Sequence, residues 1–487
     1  MSEKYFVYDV GSTYSKLSAF NFAGESWEFC GRSQYETTLD DITRGLAEAR
    51  SDLDRKYPHA SSTPSKSWVL ASSSAAGGLR MVAMGYMPTV TAKAAKEVAM
   101  NAGARVLEVV SHDEPLEYRL EVLREIRPDI ILLAGGTDGG DGDSLLENAA
   151  VIARAGLKAQ IILAGNVVAQ PQAAELLRAH GLNCTRVGNV MPTIHELRVG
   201  PAREAIHKEF IRQITLAPGL AELTALVDGG QVIPTPAAIL MSAELMALGT
   251  HEQKGVGGVL IVDLGGATTD VHSVIPELND LRSEERGLVI NNDKQAVFRT
   301  VEGNLGLRVS ASGIVEAVGA QGLLAWRNKL IGAQSTGSAS REEIERLAFY
   351  VSALEKDAAH LADGAWEEEI DAALAAAALE TALKRHSGYW LTQYNPILGL
   401  PPGSPVGRDL RSVKWVVGVG GFFASRPEAE GLGLLRDVLQ NRGYFLFPQE
   451  PKFRLDYDYI LYSVGLLGKI HPNQTLNFVK QYLKMEE

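Results

Sequence analysis

Short apolar runs that end in a carboxylate and a glycine turn recur along this chain and place its predicted elements. Val259 to Val262 is uniformly apolar and reads as a buried strand. Asp263-Leu264-Gly265-Gly266-Ala267-Thr268 then turns it back into a second strand, Thr269 to Val274. The N-terminus repeats this order, with Val7-Tyr8-Asp9-Val10-Gly11-Ser12-Thr13 ahead of a returning strand through Leu17 to Phe20. A third run, Val416 to Val419, enters Gly420-Gly421 and then a helix. After the first hairpin, Trp27 to Arg32 reads as a strand, and Asp40 or Asp41 caps a helix to about Tyr57. Trp68 to Ala71 is a further strand leading into Ser72-Ser73-Ser74, which either line a cleft or satisfy their own loop.

From about Gly103 to Met191 the pattern changes. Val106–Val110, Ile130–Ala134, Ile161–Ala164 and Thr185–Val187 are short strands separated by amphipathic helices, which predicts a small parallel sheet inserted into the main fold. Ligands of such sheets sit beyond the carboxyl ends of the strands, so Gly135, Gly136, Thr137 and Asp138 are candidates for a second site. The alternative is a glycine loop ahead of a helix capped by the box Ser144-Leu145-Leu146-Glu147. Helices follow over Pro192–Ile214, carrying His195 and His207, then Leu220–Leu226 and Pro236–Leu248. The alanine-rich Ile370–Leu383 is helical and Ser387–Arg408 is a long loop. Tyr457–Ile470 is a helix with small residues at Ser463, Gly465 and Gly468, and Gln474–Met485 closes the chain as an amphipathic helix. The expected organisation is a first lobe over 1–103, an insertion over 104–191, a helical connection over 192–250 and a second lobe over 251–487.

The chemistry lies in the turns. Adjacent small residues let the backbone approach an anion and offer N–H groups to its oxygens, threonine hydroxyls add donors, and a carboxylate at a strand end holds Mg²⁺ through water. A plain glycine hairpin with solvated threonines is the other reading of either turn alone. Two copies favour a pair of phosphate-gripping hairpins, one from Gly11, Ser12 and Thr13, the other from Gly265, Gly266, Thr268 and Thr269. Asp9 and Asp263 are then the metal carboxylates, and Lys16 neutralises charge on a γ-phosphate. Glu302 and Arg308 are either cleft residues or a surface ion pair. A base to align water is expected among Asp9, Asp263 and Glu302.

Composition narrows the classes. The 487 residues suffice for two or three domains, and a net charge of −12 argues against nucleic acid or an anionic membrane as partner. No apolar run reaches the roughly 18 residues of a membrane helix. Cys30 and Cys184, far apart and without metal-ligand spacing, read as reduced core thiols of a cytoplasmic protein.

Two Asp-Gly hairpins followed by a strand–Gly-Gly–helix resemble the actin/Hsp70/sugar-kinase superfamily. The fold implied is α/β and two-lobed, with the small parallel α/β subdomain inserted. In that resemblance Gly418, Gly420, Gly421 and Ser425 face adenosine, although Ser425-Arg426-Pro427-Glu428 is also a capping box. A closer likeness spans nearly the whole chain. Tyr8 to Lys16, Leu133 to Gly140, Asp263 to Asp270, Arg299 to Gly303 and Asp458 to Leu467 together resemble the GlmL/MutL family. Those are accessory proteins of adenosylcobalamin-dependent glutamate mutase and related aminomutases. The resemblance implies an ATPase-type reactivating chaperone that uses ATP/ADP and Mg²⁺ and partners mutase subunits, with a homo-oligomer open. Asp270-Val271-His272 lacks the glycine of a cobalamin Asp-x-His-x-x-Gly motif, so no cobalamin ligand of the chain's own is expected. A small-molecule kinase and a hydantoinase-like amidohydrolase subunit are the alternatives.

Overall fold

The structure is a computed structural model describing residues 2–11, 13–38, 40–61, 66–74, 80–85, 105–193, 198, 200–214, 219–276, 296–333, 339–394 and 400–485. Ser12 and His195 lie outside the described residues. The chain forms two compact units. One comprises Met1–Gly77, Ile214–Arg299 and Leu305–Glu487, and the other Gly78–Gln213 with Thr300–Asn304.

The strands in chain order are β1 (Glu3–Val10), β2 (Tyr14–Ala23), β3 (Ser26–Glu36), β4 (Lys66–Ser73), β5 (Arg80–Gly85), β6 (Arg105–Ser111), β7 (Ile130–Leu133), β8 (Gln160–Leu163) and β9 (Asn183–Arg186). They continue with β10 (Val232–Pro234), β11 (Val259–Leu264), β12 (Thr269–Val274), β13 (Val297–Glu302), β14 (Tyr389–Trp390), β15 (Pro405–Val406), β16 (Trp415–Val419) and β17 (Lys452–Leu455). The larger unit holds two five-stranded sheets, ordered β10-β4-β1-β2-β3 and β13-β12-β11-β16-β17. Read from the third strand of each, both follow the order third, second, first, fourth, fifth. In both, the first two strands form an antiparallel hairpin and the fourth lies parallel beside the first. This duplicated α/β architecture is the two-lobed actin/Hsp70/sugar-kinase type.

One apolar core joins the two sheets. Tyr5, Val7 and Phe20 of the first meet Val259 and Ile261 of the second, together with residues of the helices Thr235–Leu248 and Leu461–Gly468. These two helices cross closely because glycine lies at the contact. A β-carbon on Gly465 would overlap the Ala238 carbonyl oxygen, and one on Gly468 would lie 2.9 Å from Leu245 Cδ2. The helix expected from Tyr457 begins only at Leu461, after a turn in which Asp456 accepts from the Ile460 and Leu461 amides. On the other face of the second sheet the helix Ala365–His386 buries Ala373 to Ala378 completely, so its alanines serve close packing. The loop expected over Ser387–Arg408 contains the short pair β14–β15.

The smaller unit is a parallel sheet ordered β6-β5-β7-β8-β9, with the helices Leu116–Ile126, Asp143–Ala155 and Gln170–Ala179. It starts before residue 104, because β5 is the strand on which both β6 and β7 pair, and it takes in the helix Gly200–Ile214. That helix begins eight residues after Pro192, its expected start. The box at Ser144 does not form. The Asp141 carboxylate accepts from the amides of Asp143 and Ser144, and the Ser144 hydroxyl is buried without a partner. Cys30 and Cys184 are half-buried rather than core thiols. Among the described residues no helix is long and apolar enough to cross a membrane.

Candidate functional site

The two hairpins have turns of equal length. The Gly11 amide donates to the Tyr14 carbonyl at 3.0 Å and the Gly265 amide to the Thr268 carbonyl at 2.9 Å. Asp9 therefore matches Asp263, Lys16 matches Asp270, and Thr13 matches Ala267. The loops also meet. A β-carbon on Gly266 would lie 3.2 Å from Thr13 Cγ2, so this close approach explains the second glycine. The amides of Gly11 and Gly265 are taken up in closing the turns.

The matched carboxylates have opposite surroundings. Asp9 is saturated: Lys16 Nζ donates to its Oδ2 at 2.8 Å, while Ser72 and Thr235 hydroxyls donate to its Oδ1 at 2.8 and 2.5 Å. Asp263 is buried, and its Oδ1 has no hydrogen-bond partner. The strand registers supply the reason. Asp9 sits beside Ser72 on the parallel strand β4, but Asp263 sits beside Val419 on β16. Across the hairpin Asp9 faces a lysine and Asp263 faces Asp270. Burial, then the Asp270 charge, raises the Asp263 carboxyl from its ordinary 3.8 to about 7, against an opposing pull from Lys16. Asp270 itself is held by Arg299 at 2.7 Å.

Several expected roles change. Thr269 is buried and donates to the Leu305 carbonyl at 2.6 Å, so it braces the hairpin and faces no phosphate. Thr268 donates to Asp270 at 3.0 Å. Lys16 is ion-paired with Asp9, and its ammonium lies 4.3 Å from the centre of the Tyr459 ring. Backbone carbonyls of Gly265 and Gly266 accept from Leu307, Arg308 and Val309, clamping the second hairpin. Arg308 pairs with Asp371 at 2.8 Å. Glu302 is buried at the end of β13.

The strand–Gly-Gly–helix motif divides by role. A β-carbon on Gly418 would meet Leu455 and Phe423, so that glycine serves packing. Gly420, at φ +113°, brings its turn against the second hairpin: a β-carbon there would overlap the Leu264 carbonyl and lie 3.0 Å from Asp263 Oδ1. Gly421 faces open space. Ser425 ends the short helix Gly421–Ala424 and donates to the Phe422 carbonyl. The capping box fails because the next helix, Glu428–Gln440, starts beyond Pro427 without a side-chain cap.

The second candidate site is a self-satisfied loop. The Asp138 carboxylate accepts from the Val167 amide and from Asn189 Nδ2, and Asn166 Nδ2 donates to the carbonyls of Gly140 and Asp141. A β-carbon on Gly136 would overlap the Asp141 carbonyl. Glycines Gly135 and Gly136, with Thr137, therefore shape a folded turn. His272 is fully buried, and both of its ring nitrogens lack partners.

The sequence reading missed Ser72 as an Asp9 partner, Thr235 and Tyr459. Thr235 lies 226 residues from Asp9, and nothing local marks it. The serine run did carry a signal, in its position at the end of a strand.

Among the described residues, Asp263 offers an oxygen that would suit a Mg²⁺ ion. The orphaned Asp263 Oδ1 is a hard, buried oxygen with no protein cation on it. Among the described residues no group of three or more His, Cys, Asp or Glu side chains could hold a metal. The ion would thus take one carboxylate from this hairpin and the rest of its shell from phosphate and water.

The family model described as MutL protein matches residues 5–483. Protein MutL of Clostridium tetanomorphum is 35% identical over 486 residues, covering 99% of each chain. Among solved structures, a diol dehydratase-reactivating factor in nucleotide-free form is 11% identical, covering 96% of this chain and 100% of its own, at a TM-score of 0.36. Gluconate kinase from Lactobacillus acidophilus is 10% identical, covering 99% and 92%, at 0.33. With these TM-scores below 0.5, the grounds for the fold are the sheet order and the hairpin geometry.

Proposed function

Since this chain belongs to the MutL protein family, we propose that it is an ATP-binding, ATP-hydrolysing reactivating chaperone for an adenosylcobalamin-dependent mutase of the glutamate mutase or aminomutase type. The observation that carries the nucleotide part is the meeting of two Asp-led hairpins at Thr13 and Gly266, with the orphaned Asp263 Oδ1 in the second. The mutase part rests on the family resemblance.

In this reading ATP lies against the two loops, with its adenosine toward Gly420 and Gly421. Amides beyond Gly11 and Gly265 and the Thr13 hydroxyl grip the phosphates. A bound Mg²⁺ would neutralise phosphate charge. Asp263 would hold that ion, and a cation there would favour the ionised carboxylate that burial otherwise disfavours. Asp9 orients the first hairpin through Lys16, Ser72 and Thr235. Lys16, already neutralised by Asp9, supplies donors more than net charge. The crossing helices under both sheets are the element that closure of the lobes would move.

The test is ATP hydrolysis by the purified protein, with and without a cobalamin aminomutase inactivated by cobalamin damage. Stimulated turnover together with recovery of mutase activity on adding adenosylcobalamin supports the proposal. Turnover that a small-molecule acceptor raises and the mutase does not would replace it with the kinase reading.

A further inference from the structure

Tyr459 stands apart on three counts. It has φ +51°, one of four non-glycine residues at positive φ among those described. A bulky aromatic residue holds that conformation only where its surroundings impose it. Its ring covers the Lys16 ammonium at 4.3 Å, the same ammonium that bonds Asp9. Its backbone belongs to the turn that starts the crossing helix.

That turn is tied on both sides. The Asp456 amide donates to the Gly418 carbonyl of β16, and the Tyr459 amide donates to the Asp456 carbonyl. Asp456 Oδ1 and Oδ2 accept from Ile460 and Leu461, and Tyr482 also donates to Oδ1. One turn of helix further on, Tyr462 packs edge-on against Tyr459 with ring centres 6.3 Å apart, and its hydroxyl shares a 2.9 Å hydrogen bond with Ser18 of β2. The phenol of Tyr459 is held well above its usual pKa by burial and by Asp263, Asp9 and Asp456, so it stays neutral beside the lysine.

We propose that Tyr459 is a positioning residue that couples the nucleotide site to the crossing helix. Its ring face holds the Lys16 ammonium on Asp9, and the turn that presents the ring also begins Leu461–Gly468. A phosphate that draws Lys16 away from Asp9 removes the contact that holds the ring, and the strained turn then relaxes along the helix. The coupling rests on the nucleotide reading above and adds to it the route by which nucleotide state reaches the interface between the sheets.

Two variants separate ring from backbone. Tyr459→Phe keeps the ring face; Tyr459→Asn removes it but tolerates the left-handed turn. The readouts are the KM for Mg·ATP and amide hydrogen exchange of residues 461–468 with a non-hydrolysable ATP analogue against ADP. The wild type and Tyr459→Phe are expected to show different exchange in the two nucleotide states. Tyr459→Asn is expected to lose that difference and to lower KM by roughly 3- to 30-fold, the range of a cation–π contact that binding no longer has to break. Retention of the difference in Tyr459→Asn, or its loss in Tyr459→Phe, overturns the proposal. Wild-type binding of both nucleotides without a difference overturns the coupling alone, and a wild type that binds neither overturns the nucleotide reading and the coupling with it.

Discussion

Replacing Asp263 with Asn removes a charge that the fold itself disfavours. The carboxyl moves from 3.8 to about 7 on folding, chiefly through burial and then through Asp270. A carboxyl whose folded pKa is raised binds its proton more tightly in the native state. Stability is therefore highest at low pH, falls as pH rises from about 4 to about 7, and stays level above. Fully accrued, the penalty is on the order of 4 kcal/mol, and about 2 kcal/mol of it develops between pH 5.5 and 7. Asp263→Asn keeps the shape and escapes the penalty. In the absence of nucleotide it is expected to melt a few degrees above the wild type at pH 8, with a smaller gap at pH 5.5. It should also lose Mg²⁺-dependent ATP turnover. Thermal unfolding followed by fluorescence at the two pH values reads both the sign and the window. An Asp263→Asn protein that melts below the wild type at pH 8, or a gap that does not change with pH, would refute the reasoning.

Further substitutions test the supports of the site. Thr235→Val leaves Asp9 Oδ1 with Ser72 alone and should cost about 2 kcal/mol in urea unfolding, with ATP turnover falling in parallel. Gly465→Ala drives a methyl into the Ala238 carbonyl where the helices cross, and a loss of about 3 kcal/mol is expected from the same measurement. Ser144→Ala should leave stability within about 0.5 kcal/mol of the wild type, or raise it, because the hydroxyl is buried without a partner. A working capping box there would instead cost about 1 kcal/mol.

Much of the fold was legible in the pattern of apolar runs. The run over Val259–Val262 becomes the fully buried β11, and the strand, Asp and turn order recurs as two sheets of the same topology. The small residues before Ile470 likewise anticipated a close helix contact, which Gly465 provides. Local chemistry was read less well, since it depends on neighbours distant in sequence. Asp9 and Asp263 look alike in the chain, yet Ser72 beside one and Val419 beside the other make the first saturated and leave the second with an unpartnered oxygen. Thr269 looked like a phosphate donor, but its hydroxyl is claimed by the Leu305 carbonyl. Both serine capping boxes failed for local reasons: Asp141 takes the cap role from Ser144, and Pro427 restarts the helix beyond Ser425.

The most direct measurement is calorimetric titration of the purified protein with ATP, with and without Mg²⁺, in the wild type and in Asp263→Asn. One equivalent of Mg·ATP binding to the wild type, with the Mg²⁺-dependent part lost in Asp263→Asn, is the expected result. No binding to the wild type, or Mg²⁺-dependent binding unchanged in Asp263→Asn, would contradict a nucleotide site at the facing hairpins.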